Sequence, residues 1–299
     1  MLTLRVAVFA LFCPFACSLQ AATVQNPTDT ARAETLRAIG IEKALELESS
    51  ARRKTAIVLQ GQSVSPIATT DEIIDVIISG PPGSHLGAAM AAAIDQRGYF
   101  ITAAHVADDE PLSLVFCDGA QLRALPARVV AKLSNNHKQS KLDVAVLHVD
   151  AEPSEVFQWA DLSKVHHSDR LLEIGRAAIH ARSKVGGIVA PAAFAGKLKK
   201  TINLRNGGTA IRSEIPARHG DSGGPLLTLE GKLLGIECGF TKPLLRRGYE
   251  VANRPDLQWL TDIINADTNS HTLRCPQRTT AEQNRDSGDP ITITVPLLR

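Results

Sequence analysis

The sequence predicts an all-β chain with helices confined to its two flanks. Short apolar or alternating runs recur from Ala56 to Phe240, separated by turns rich in Gly, Pro and Asn. Helical periodicity is found in two stretches, Thr28 to about Arg53 and Pro255 to Ile264. With 299 residues, 44% of them hydrophobic, the chain can bury one large core or two modest ones.

Met1 to Ala22 reads as a secretory leader. Arg5 supplies the positive end, Val6 to Ala16 is apolar, and Ser18-Leu19-Gln20-Ala21-Ala22 offers small residues for cleavage. The apolar run is short for a membrane span, so the mature protein is expected to be exported, periplasmic or secreted, without stable membrane insertion. Cys17 leaves a lipoprotein route open, although Pro14-Phe15-Ala16 fits a lipidation site poorly. Next comes a helical pattern, with Leu36, Ile39, Ile41, Ala44, Leu45 and Leu47 set among charges and Asn26-Pro27-Thr28-Asp29 as its start. It reads as a helix docked on the body of the protein, or as a regulatory arm.

Strands are expected at Ala56–Leu59, Ile73–Ile78, Leu112–Phe116 and Leu122–Leu133, with a turn at Gly80-Pro81-Pro82-Gly83. Gly87 to Ile94 is alanine-rich, a composition common in helices, and leads through a turn at Asp95–Gly98 into Tyr99-Phe100-Ile101-Thr102. Asn135 to Ser140 is a polar loop, and Ala151 to Ser168 a Pro-containing connection. Leu171–Gly175, Lys184–Pro191, Thr209–Ile215 and Lys232–Phe240 follow as strands, with Gly196–Lys200 expected as a short solvated hairpin. From Asp267 the composition turns polar, which predicts a flexible tail over 267–299, with Ile291–Val295 as an added strand.

The chemistry concentrates in Arg218-His219-Gly220-Asp221-Ser222-Gly223-Gly224-Pro225-Leu226-Leu227. A serine alcohol is a weak nucleophile and needs both a base and a site for the developing oxyanion. Glycine at 220 permits a turn sharp enough to point the Gly220 and Ser222 N–H groups into one space. Gly223 and Gly224 keep side chains away from an approaching substrate backbone. Upstream, Thr102-Ala103-Ala104-His105 ends one strand and Asp143-Val144-Ala145-Val146-Leu147 begins another. A histidine titrates near neutral pH and suits proton transfer. A carboxylate beside it fixes the tautomer and stabilises the imidazolium.

These three segments, in the order His105, Asp143, Ser222, resemble those of the trypsin-like (chymotrypsin-fold) serine peptidases. The spacings, 143 − 105 = 38 and 222 − 143 = 79, leave room for two small barrels. The resemblance implies two antiparallel six-stranded β-barrels, at 56–160 and 161–266, and a C-terminal helix; the helical extension at 23–55, read from periodicity, is one the family does not need. It favours a strand hairpin over a helix for Gly87–Ile94. It also implies a serine endopeptidase that needs no cofactor: Ser222 attacks, His105 transfers the proton, Asp143 orients His105, and the Gly220 and Ser222 N–H groups hold the oxyanion. Substrate backbone would pair along Cys238-Gly239-Phe240.

Two departures from the family pattern matter. The Ile-Val-Gly-Gly amino terminus released in zymogen activation is not found before His105, so Asp221 needs some other partner. That brings the chain closer to exported bacterial members such as the high-temperature-requirement proteases, although the stretch after Ile264 is expected to be too short for their peptide-binding module. Members that cleave after Arg or Lys carry an aspartate six residues before the nucleophile, where this chain has Pro216. Small or medium apolar side chains are therefore the expected preference, with Glu237 a further candidate to face the pocket. The same machinery also suits an esterase, and a silent protease fold would serve as a binding module.

Composition limits the other classes. A formal net charge of +2 and 4% aromatic residues give neither the basic surface nor the stacking platform of a nucleic-acid binder. No CxxC or HExxH motif occurs, and the adjacent His166 and His167 cannot share a helical face, so no metal site is expected. Cys117, Cys238 and Cys275 lie beyond the leader, an odd number that allows one disulfide and leaves one thiol.

Overall fold

The computed structural model describes residues 34–35, 37–60, 63–65, 77–79, 87–108, 111–118, 121–134, 142–178, 189–204, 207–216, 220–241, 249–274 and 292–294. The leader, the loop 135–140 and residues 73–76 of the expected strand at Ile73–Ile78 lie outside them.

Strands β1 (Thr55–Gln60), β4 (Gly87–Asp95), β5 (Tyr99–Thr102), β6 (Leu112–Asp118), β7 (Gln121–Ser134) and β8 (Asp143–His148) form the first barrel. The order is β7-β6-β1-β4-β5-β8, and β8 pairs back onto β7 to close it. A separate ribbon pairs β2 (Ser63–Ser65) with β3 (Ile77–Ser79). The alanine-rich segment 87–95 is a strand because both of its faces are buried. Ala89, Ala91 and Ala93 point into the barrel beside Phe100, Phe116 and Leu147, while Ala92 joins an apolar cluster shared with the second barrel. Helix propensity is a weak preference that such two-sided burial overrides.

Strands β9 (Arg170–Ala178), β10 (Val189–Asn203), β11 (Thr209–Ser213), β12 (Pro225–Thr228), β13 (Leu233–Thr241) and β14 (Tyr249–Arg254) close into the second barrel in the order β10-β11-β14-β13-β12-β9. All pairings are antiparallel. The expected hairpin at Gly196–Lys200 is instead the middle of β10. Phe194 and Leu198 fill the barrel, while Lys197 and Lys200 are exposed, so the basic run is the outer face of a strand. Residues 189–197 pair with β9 and 198–203 with β11, with a bulge between Leu198 and Lys200 where the partner changes.

Between the barrels lies an apolar cluster containing Ala92, Ile101, Leu142 and Val144 from the first barrel and Leu172, Ile174, Leu227 and Ile236 from the second. Helix α1 (Ile41–Arg52) adds Leu47 and Ala51 to it. The helix buries Ala44, Leu47, Glu48 and Ala51, one stripe at helical spacing, and leaves Ile41 and Leu45 exposed. It also covers an open edge of β10. Thr35 Oγ1 accepts from the Ala195 N–H at 2.7 Å, and Glu48 Oε2 from the Ala193 N–H at 3.4 Å. Side chains of the amino-terminal segment thus stand in for a neighbouring strand.

Helix α2 (Leu257–Arg274) runs past the expected end at Ile264, so Asp267 to Arg274 are helix and not tail. Tertiary contacts explain the extension. Tyr99 Oη donates to Asp267 Oδ2 at 2.8 Å, and Arg128 Nη1 donates to Asp267 Oδ1 at 2.8 Å. The guanidinium holds the Asp267 carboxyl below its usual range. Further on, β15 (Thr292–Thr294) pairs with Gln121–Arg123 of β7.

Candidate active site

His105 sits just beyond the end of β5, within a single 3-10 turn over Ala104–Ala107. Ala103, Ala104, Val106 and Ala107 are buried in the first barrel, and the small residues let this turn press inward while the imidazole faces outward. The His105 side chain is 48% exposed and that of Asp143 26%.

Asp143 opens β8 and meets His105 twice. Its Oδ2 lies 2.6 Å from His105 Nδ1, and its Oδ1 accepts from the His105 backbone N–H at 3.0 Å. Two contacts from one residue fix the carboxylate plane, and the tautomer follows: Nδ1 carries the proton and Nε2 is free to accept one. The imidazole pKa is raised, chiefly by the hydrogen bond to Asp143, with further attraction from the charges of Asp143 and Asp108, while burial opposes the shift.

Ser222 comes from the turn between β11 and β12. Gly220, at φ 94°, and Gly223, at φ 82°, adopt left-handed conformations that suit glycine. At Gly223 no other residue fits, because an added Cβ would lie 1.9 Å from Met90 O and 2.2 Å from Thr102 Oγ1. The turn is therefore pressed against the first barrel. Ser222 O accepts from the Met90 N–H at 2.8 Å, and Thr102 Oγ1 donates to Met90 O at 2.7 Å. Thr102 ends the strand that delivers His105, so the serine turn and the histidine turn share a support. Among the described residues no hydrogen bond joins Ser222 Oγ to His105. Such contacts are often loose without substrate and tighten when it binds.

The backbone of the turn is accounted for unevenly. The Gly223 N–H donates to Glu237 O at 2.7 Å and the Gly224 N–H to Asp221 O at 2.7 Å. Neither the Gly220 nor the Ser222 N–H donates to a protein acceptor among the described residues. Asp221 is fully buried.

The remaining sequence-derived candidates fall around this turn. Pro216 is exposed, immediately before the segment 217–219, which lies outside the described residues. Strand β13 outruns its neighbour: β12 covers Leu233–Ile236, while among the described residues the strand pairing of 239–241 is with β14. Gly239 borders open space, with nothing within 4 Å of an added Cβ. Cys238 forms no disulfide among the described residues, and its thiol turns inward to donate to Asp143 O at 2.9 Å or Ile236 O at 3.2 Å. Glu237 is buried, 1% exposed. Sequence reasoning missed Asn253, whose Oδ1 accepts from the Asp143 N–H at 2.7 Å. It belongs to no motif and sits within a strand, so nothing in the sequence points to it.

Residues 89–236, which include His105, Asp143 and Ser222, match the family model of the trypsin-like peptidase domain. This stretch is a trypsin-like peptidase domain. Among known proteins the chain is similar to the periplasmic pH-dependent serine endoprotease DegQ of Escherichia coli (strain K12), 29% identical over 150 residues. The match takes in 49% of this chain and 30% of that one. A probable periplasmic serine endoprotease, DegP-like, of Rickettsia conorii is 26% identical over 157 residues, 50% of this chain and 28% of the relative. The chain thus spans less than a third of the length of either relative. Among solved structures, the HtrA-type protease AlgW with a decapeptide superposes with a TM-score of 0.52 at 18% identity, covering 74% of this chain and 67% of that one. The same protease with a tripeptide gives 0.52 at 18% identity, over 75% and 64%. The likeness supports the two-barrel fold of the trypsin-like peptidase domain.

Proposed function

We propose that the protein is an exported serine endopeptidase acting through Ser222, His105 and Asp143. The observation that carries this reading is the doubly bonded His105–Asp143 pair, set on the same support as the Ser222 turn. In this mechanism Ser222 Oγ attacks the peptide carbonyl and passes its proton to His105 Nε2. Asp143 stabilises the resulting imidazolium. The carbonyl oxygen, now negative, is held by the Gly220 and Ser222 N–H groups, which donate to no acceptor among the described residues. Collapse of the tetrahedral intermediate returns the proton to the departing amine and leaves an acyl-enzyme, which water attacks by the same route.

Substrate backbone pairs along residues 238–241 of β13, beyond the stretch that β12 covers, as an added strand. The lack of a side chain at Gly239 leaves room for a small or medium apolar residue of the substrate. Export is supported by the leader-like start of the sequence and by the periplasmic naming of the relatives. Among the described residues no helix is long and apolar enough to cross a membrane.

The test uses protein lacking residues 1–22, incubated with reduced casein, with new termini read by mass spectrometry. New termini from the wild type and none from Ser222→Ala are expected. Hydrolysis of a nitrophenyl ester with intact casein would move the reading to an esterase. Turnover of neither would leave a binding module.

A further inference from the structure

Asp143 is held by more than its carboxylate. Its N–H donates to Asn253 Oδ1 at 2.7 Å, and its C=O lies 2.9 Å from the Cys238 thiol, nearer than the alternative acceptor Ile236 O at 3.2 Å. Both partners belong to the second barrel, on β14 and β13, whereas Asp143 belongs to the first. The orientation of Asn253 is fixed by chemistry, because only a side-chain oxygen can accept from an amide N–H. Asn253 is 2% exposed, so water cannot easily replace it.

Cys238 owes its aim to an irregularity. Glu237 pairs with Ala252 and Gly239 with Val251, which makes Cys238 the additional residue of a β-bulge. Bulges redirect side chains that regular alternation would send elsewhere. One residue earlier, the Glu237 N–H donates to Gly224 O at 2.8 Å and its C=O accepts from the Gly223 N–H at 2.7 Å. Consecutive residues of β13 therefore hold the serine turn and the Asp143 backbone. Asn253, paired with Ile236 in the adjacent strand, supplies the second hold on Asp143.

We propose that Asn253 and Cys238 are positioning residues that fix Asp143, and through it His105, at a set separation from Ser222. Neither touches the reacting atoms. The inference rests on the peptidase reading for what that separation accomplishes. Its physical basis is that the acid and base belong to one barrel and the nucleophile to the other, so sliding of the barrels is the motion that misaligns them. A misplacement of about 1 Å in such a constellation costs on the order of 100-fold in rate.

The experiment uses the full leader-free chain as wild type, Asn253→Ala, Asn253→Asp, Cys238→Ala and Cys238→Ser. Three quantities are measured: thermal midpoint, the titration midpoint of the His105 imidazole by NMR, and the rate of labelling by a fluorophosphonate. Asn253→Ala is expected to label roughly 10- to 100-fold more slowly and to lower the His105 midpoint, since a loosened carboxylate stabilises the imidazolium less. Asn253→Asp keeps an acceptor and Cys238→Ser a donor, so each recovers most of the rate lost in its alanine counterpart. A folded Asn253→Ala with wild-type labelling and a wild-type His105 midpoint overturns the inference. If the wild type is not labelled at all, the peptidase reading fails, and the His105 midpoints still decide whether Asn253 and Cys238 position the pair. Should Asn253→Ala not fold, slowed labelling and a lowered midpoint in Cys238→Ala support the inference, and wild-type values there overturn it.

Discussion

The His105–Asp143 half of the site is held by side chains, whereas the Gly220–Gly224 half is held by backbone and by missing side chains. The first half rests on a carboxylate meeting an imidazole and an amide, at 2.6 and 3.0 Å, in a region open to solvent. Its strength depends on charge, so it responds to pH and to single-atom changes. The second half is a turn whose Gly224 N–H bonds within it to Asp221 O, whose Gly223 N–H bonds to Glu237 O of β13, and whose shape requires positive φ at two glycines. Its integrity is steric. One half can therefore be disabled with the fold intact, and the other is difficult to change without disturbing the contact between barrels.

The largest effect is expected from Asp143→Asn. The amide preserves the shape but favours the wrong imidazole tautomer, and fluorophosphonate labelling should fall by about 10⁴-fold, some 5 kcal/mol of lost transition-state stabilisation. The thermal midpoint should change little, and a collapse in stability would contradict the side-chain character assigned to this half.

The opposite pattern is expected for Gly223→Ala. A methyl group 1.9 Å from Met90 O forces the turn away from the first barrel. Together with the unfavourable φ, this should cost about 3–5 kcal/mol of stability in urea denaturation. A loss below about 1 kcal/mol would show that the turn is not seated as described.

Leu47→Ala probes the apolar layer beneath both halves. Leu47 is 5% exposed and packs among residues of both barrels, so a loss of about 2–4 kcal/mol is expected. Labelling at 25 °C should stay close to wild type wherever the protein remains folded. Gain of labelling on removing α1 would instead identify it as an inhibitory arm.

The smallest effect is one of pH. Asp143 raises the His105 pKa, so the neutral base is lost at a higher pH than for an isolated histidine. Labelling rate should fall as pH drops through this raised value, and Asp143→Asn should move that limb to lower pH. Stability runs the other way. A group whose pKa is raised on folding stabilises fully below its unfolded value and loses that contribution as pH rises through the folded value. The difference in thermal midpoint between wild type and Asp143→Asn should accordingly shrink from mildly acidic to alkaline pH, and a constant difference would contradict the pairing.

The motif-bearing segments of the site are legible in the sequence alone. Gly-Asp-Ser-Gly-Gly, Thr-Ala-Ala-His and the Asp143 strand are local patterns, and local patterns survive in sequence. Gly87–Ile94 was ambiguous from composition, because alanine suits a helix and a doubly buried strand equally well. Gly196–Lys200 misled, because its lysines suggest a loop, whereas burial of Phe194 and Leu198 on the other face makes it strand. The length of α2 was hidden for a different reason. Asp267 and Thr268 look like tail residues until Tyr99 and Arg128 are seen to hold them. Asn253 and Cys238 act on a residue 110 and 95 positions away, and that kind of relation exists only in the fold.

Labelling of leader-free protein with a fluorophosphonate, beside Ser222→Ala and His105→Ala, tests the central claim most directly. A single adduct on Ser222 in the wild type, absent from Ser222→Ala and reduced by several orders of magnitude in His105→Ala, is the expected result. An unlabelled wild type, or equal labelling of Ser222→Ala, would contradict the assignment of Ser222 as an activated nucleophile.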